Sequence, residues 1–140
     1  MTIKELSQLY WLKKEIAKDQ ERLEELERLA GSPGSPNYDG MPKAPGYYNG
    51  SKIERYVADI LDLRAIIDAK RQQCIHEQLI LERYISSIDD SLTRQIFEAR
   101  FVDCRTWMGV ALKVGGGNTE DSVKKICYRY LERTTAEENT

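Results

Sequence analysis

No run of about 18 apolar residues occurs in this 140-residue chain, so no segment is expected to span a bilayer. The opening, MTIKELSQLYWLKK, meets a charge at Lys4 and has no apolar stretch leading to a small-residue cleavage site, which argues against a secretory leader. Cysteine is scarce. Cys74, Cys104 and Cys127 form an odd set without a Cys-x-x-Cys pair, so neither a disulfide scaffold nor a zinc site is expected, and a reducing cytoplasm is the simplest compartment. His76 is the only histidine and has no second ligand type at metal-binding spacing beyond the nearby Cys74. The glycine run Gly115-Gly116-Gly117 is followed by Asn118-Thr119, without the Lys-Ser/Thr of a phosphate-binding loop. No nucleophile–base pair or acidic pair stands at an informative spacing. The expectation is a non-enzymatic protein with no catalytic residue, no metal and no cofactor.

Proline is absent except in one stretch. All four prolines and five of the nine glycines lie within residues 30–51, AGSPGSPNYDGMPKAPGYYNGS. Proline removes a backbone donor and glycine raises chain entropy, so this stretch reads as a linker, residues 30–50, rather than helix or central strand. It is either a mobile connector or, through Tyr38, Tyr47 and Tyr48, an epitope for a partner.

What remains is rich in helix-forming side chains, with 31% charged residues. Residues 3–29 read as one helix. Leu9, Ile16, Leu23 and Ala30 repeat at seven, and Leu12, Asp19 and Leu26 follow three positions later, an a/d pattern with one polar position. The LYWL stretch, Leu9 to Leu12, is apolar beyond one stripe and needs more than one packing partner. Residues 51–87 read as a second helix, with Ser51 and Glu54 as a capping box. Ile53, Ile60, Ile67, Cys74, Leu81 and Ile88 repeat at seven, while Lys70 and Glu77 make the middle of the seam polar. The two helices are expected to pair as an antiparallel, coiled-coil-like hairpin, within one chain or between chains. Together they define a helical arm over residues 1–88, with Tyr10 and Trp11 as leftover apolar surface for a dimer.

Past residue 88 the pattern shortens into a trihelical module, residues 89–133, and a polar tail, residues 134–140. Asp89 or Asp90 caps a helix to about Val102, carrying Leu92, Ile96, Ala99 and Phe101 inward. Asp103 to Arg105 turns the chain. Thr106 caps a helix to Val114, the glycine run stops it, and Thr119 opens a last helix to Arg133. Residues 92–133 carry eight basic and five acidic side chains, whereas residues 51–88 carry six of each. The last helix separates into an apolar side, with Val123, Ile126, Cys127, Tyr130 and Leu131, and a polar side with Lys124, Lys125, Tyr128, Arg129 and Glu132. Two helices joined by a glycine-containing turn have the outline of a helix-turn-helix.

The segment from Leu92 to Leu131 resembles region 4 of sigma-70-type factors. The resemblance rests on Val110-Ala111, Gly115 and Thr119-Glu120-Asp121-Ser122-Val123; Gly116 and Gly117 are two residues beyond that family's turn. Over nearly its full length the chain is similar to small phage and prophage proteins related to the ArpU/RinA-type late-gene transcriptional regulators. The resemblance implies a phage- or prophage-encoded transcription regulator acting on double-stranded DNA in a bacterial cytoplasm, in contact with host RNA polymerase and forming a homo-oligomer, a dimer above all. On this reading the DNA-binding residues are Thr119, Glu120, Ser122, Lys124, Lys125, Tyr128, Arg129 and Arg133. Hydroxyls, Lys and carboxylates meet base edges, and arginines reach phosphates. Glu120 also suits the positive end of the helix dipole. Two alternatives stay open: a small-terminase-like DNA-recognition subunit of a packaging machine, and a helical adaptor that binds protein alone.

Overall fold

A computed structural model describes residues 1–31 and 49–140, with side chains at 1–31 and 52–140. Tyr38, Tyr47, Tyr48 and nearly all of the linker lie outside the described residues. The fold is all-α. Among the described residues the elements are α1 (Ile3–Leu6), α2 (Gln8–Gly31), α3 (Asn49–Ser86), α4 (Ser91–Phe97), a π turn (Glu98–Val102), α5 (Trp107–Val114) and α6 (Glu120–Glu138), with no strand. None of these helices is long and apolar enough to cross a membrane.

Several expected boundaries shift. The first helix is interrupted at Ser7, which caps α1; Thr2 and Glu5 close its other end as a reciprocal capping box, at 3.2 and 2.8 Å. α3 starts at Asn49, so Ser51 lies inside the helix and not at its cap. The expected polar tail is also helical: α6 runs to Glu138, because nothing in TTAEE breaks a helix; Thr134 turns its hydroxyl back onto the carbonyl of Tyr130 at 3.0 Å.

The chain divides into two compact units, residues 14–72 and residues 1–13 with 73–140. In the first, Leu23, Ile60, Leu63 and Ile67 are buried, flanked by Ile16, Leu26 and Ala30. The pairing is antiparallel and within one chain: Lys70 bonds Asp19 at 2.6 Å and Arg64 bonds Glu27 at 2.8 Å, so partners advance along α2 as they retreat along α3. Glu15 joins Lys70 at 3.6 Å. Asp19, the polar position of the heptad, thus finds its counterion opposite. The hydrogen bond from Lys70 to Asp19 holds the Lys70 pKa above its ordinary value, against the opposing effect of burial. Ile53, expected on the seam, is 45% exposed. In this antiparallel register its counterpart falls beyond Gly31, where α2 ends.

The second unit buries Leu6, Leu9, Leu81, Ile85, Ile88, Ile96, Phe97, Ala99, Phe101, Val110, Ala111, Val123, Cys127 and Leu131 around one core. The boundary expected at residue 88 falls inside this unit, because Leu6 and Leu9 from the start of the chain and Leu81 and Ile85 from α3 join the same cluster. LYWL accordingly has its extra packing partner. Phe97 is fully buried at the centre, with ring centroids of Phe101, Tyr130 and Tyr84 at 5.3, 5.4 and 6.2 Å. Asp90 is the cap of α4: its carboxylate accepts from the Thr93 amide at 2.9 Å and the Thr93 hydroxyl at 2.7 Å. Those bonds hold its pKa below the usual carboxylate range. Arg94 ties the α3–α4 turn by donating to the carbonyls of Ile88 and Asp89, at 2.6 and 3.0 Å.

The helix expected to reach Val102 regularly widens into the π turn, closed by the Asp103 amide on the Glu98 carbonyl at 2.9 Å. Cys104 then takes φ +56°, a left-handed backbone that redirects the chain towards α5.

Candidate nucleic-acid interface

Thr106 caps α5 by accepting from the Gly109 amide at 3.1 Å. Val110 and Ala111 face the core, with Val110 fully buried. The turn to α6 has an unusual backbone. Gly115, Gly116 and Gly117 have φ of +67°, +64° and +77°. Gly115, with ψ of −147°, lies in a region that is essentially closed to residues with a Cβ. Asn118 seals the turn, its amide side chain donating to the Gly115 carbonyl at 2.8 Å. Gly115 is therefore a conformational requirement of this connection, and Gly116 and Gly117 continue it at a positive φ that glycine adopts without steric cost.

α6 opens with a reciprocal cap. The Ser122 amide donates to Thr119 Oγ1 at 3.2 Å and the Thr119 amide donates to Ser122 Oγ at 2.9 Å. Val123, Cys127 and Leu131, four apart, form its buried ridge. Burial pushes the Cys127 thiol up to about 12, so it stays a packed, protonated side chain. The outward face, opposite that ridge, carries Asp121, Lys125, Tyr128, Arg129 and Glu132, all exposed.

The eight sequence-derived residues share one helix but do different things. Thr119 and Ser122 hold the helix start, and Ser122 Oγ also lies 3.3 Å from Asn118 Oδ1. Both hydroxyls are thereby committed to the cap. Glu120 and Lys124 neutralise each other across one turn at 3.3 Å. The Arg133 guanidinium sits over the Tyr130 ring, 5.4 Å from its centroid. Lys125 and Arg129 are exposed and have no ion-pair partner among the described residues. Tyr128, 43% exposed, leans towards Trp107 with ring centroids 6.0 Å apart.

That last contact leads to residues the sequence reading passed over. Arg100, from the π turn, places its guanidinium 4.4 Å from the Trp107 ring centroid and donates to the Arg105 carbonyl at 2.8 Å. Linear periodicity gives no sign of this stack, because its members come from three elements joined by irregular turns.

Among the described residues no group of three or more His, Cys, Asp or Glu could hold a metal ion. His76 is exposed. Tyr84 is the core's one buried hydroxyl without a hydrogen-bond partner among the described residues. Thr134 lies close to it but directs its hydroxyl to the carbonyls of Tyr130 and Leu131, at 3.0 and 3.2 Å. Burial moves the Tyr84 phenol up to about 12. No protein family, curated protein or solved structure matches this chain.

Proposed function

We propose that the chain is a DNA-binding transcriptional regulator of a phage or integrated element, in which α5 and α6 act as a helix-turn-helix and α6 is the recognition helix. The observation that carries the reading is the pair Lys125 and Arg129. They stand four residues apart on the outward face of a helix whose other side is anchored in the core by Val123, Cys127 and Leu131. A rigid, externally presented helix of this kind fits the width of a DNA major groove. Within the reading, Lys125, Tyr128 and Arg129 are the residues free to meet bases and phosphates. Arg133 reaches a phosphate after leaving the Tyr130 ring, and Thr119, Glu120, Ser122 and Lys124 set the helix start. Contact with host RNA polymerase and self-association belong to the same reading.

Fluorescence anisotropy with labelled duplexes tiled across the neighbouring promoter region is the direct test. One duplex is expected to bind well above the others, with affinity falling steeply as salt rises, because phosphate contacts release counterions. Lys125→Ala with Arg129→Ala should abolish specific binding and flatten the salt slope by about two charges' worth. Unchanged affinity in a folded double variant would remove α6 as the DNA-reading element.

A further inference from the structure

A second surface of the residue 1–13 and 73–140 unit has its own chemistry. A cleft of about 270 Å³ opens between the start of the chain and the turn before α5, lined by Ser7, Tyr10, Trp11, Arg100, Arg105 and Thr106 among others. Lys13, two residues past Trp11, donates to the Val102 carbonyl at 3.2 Å and ties the start of the chain to the π turn. Among the described residues that line it there is no carboxylate, while two guanidinium groups are present. Trp11 is 56% exposed and packs edge-on against Tyr10, with centroids 5.0 Å apart.

We propose that this cleft docks an acidic segment of a partner protein, which sets a carboxylate on Arg105 and an apolar or aromatic side chain against Trp11. Among the described residues the lining carries two guanidinium groups and no carboxylate, so an acidic occupant is the complementary one. Trp, Tyr and Arg are the residue types that carry most of the energy in protein interfaces. The volume falls below the roughly 300 Å³ lower bound of small-molecule sites, yet it suits one anchoring side chain. One wall of the cleft is pre-organised: the Arg100 guanidinium is held by the Trp107 ring and by the Arg105 carbonyl, so that part needs little ordering on docking. A protein occupant is favoured over DNA because a duplex keeps its bases stacked inside, and its phosphate backbone gains nothing from an indole and phenol wall.

The test uses the full chain and a fluorescein-labelled peptide, Asp-Glu-Asp-Phe-Glu-Asp, with a lysine-for-acid version and a Phe-to-Gly version as controls. The acidic Phe peptide is expected to bind about tenfold or more tightly than either control, and Arg105→Glu and Trp11→Ala should each weaken it by about tenfold. Both side chains are exposed, so circular dichroism should stay unchanged; Arg105→Lys, retaining the charge, should keep most of the affinity. Three results would overturn the proposal. One is equal binding of all three peptides. Another is loss of duplex DNA affinity in Arg105→Glu by the same factor, which would make the cleft a phosphate contact. The third is a fall in molar mass by light scattering in Trp11→Ala, which would make the occupant a second copy of the chain.

Discussion

Replacing Gly115 with alanine isolates a purely backbone cost. At φ +67° and ψ −147° an L-residue is strained, yet a Cβ built there meets no heavy atom within 4 Å. Packing therefore contributes nothing, and the expected loss is the conformational penalty alone, about 1–3 kcal/mol. A gain of about 0.4–1 kcal/mol from the stiffer unfolded chain offsets part of it, leaving roughly 0–2.6 kcal/mol, with about 1.3 kcal/mol at the centre of the range. The mirror experiment sharpens the argument. D-alanine, introduced by chemical ligation, finds this backbone in its own extended region and should stabilise by about 0.4–1 kcal/mol through the same unfolded-state effect. Because the chain has two compact units, urea unfolding should be followed at Trp107 and by amide exchange in α5 and α6, not by bulk signal alone. L-alanine lowering the midpoint while D-alanine raises it is the expected pattern. If the two enantiomers gave the same midpoint, the turn would not have this backbone and the argument would fail.

Cys127 should resist iodoacetamide at pH 8 roughly 10³-fold more than an ordinary thiol, since a pKa of about 12 leaves almost no thiolate; labelling it as fast as Cys74 would place it outside the core. Tyr84→Phe removes a buried hydroxyl that has no partner among the described residues, so thermal unfolding should show equal or higher stability; a loss beyond about 1 kcal/mol would reveal a bond the geometry does not contain. Lys70 has a raised pKa, so the stability that its pair with Asp19 adds is fully present below about 10.5 and disappears as pH climbs through the higher folded value. Asp19→Asn should weaken that alkaline decline, leaving the smaller part that Glu15 sustains, while costing about 1 kcal/mol or less at neutral pH. Asp90 has a lowered pKa, so its contribution holds above the ordinary carboxylate range and vanishes as pH falls through the folded value; Thr93→Val should raise the Asp90 pKa seen by NMR titration.

Much of the fold was legible because helices announce themselves locally. The sevenfold repeats of Leu9–Leu23 and Ile60–Ile67, the caps at Asp90, Thr106 and Thr119, and the inward set Val123, Cys127 and Leu131 all depend on neighbours within a turn or two. Ser51 misled because a good cap residue does not end a helix whose preceding Asn49 and Gly50 also accept helical geometry. The candidate DNA face was legible as a polar side of one helix. Its internal division was not: Glu120–Lys124 pairing, the Thr119–Ser122 cap and Arg133 on Tyr130 are choices among rotamers that the order of residues leaves open.

Periodicity and composition alone determined the helical class and the amphipathic character of α6. Tertiary structure alone decided that Leu6 and Leu9 share a core with α4–α6, that Asp19 meets Lys70, and that Trp11 and Arg105 border one cleft. The reason is range: hydrogen bonding within a helix couples residues about four apart, whereas burial couples whichever apolar surfaces can exclude water together, however distant they are along the chain.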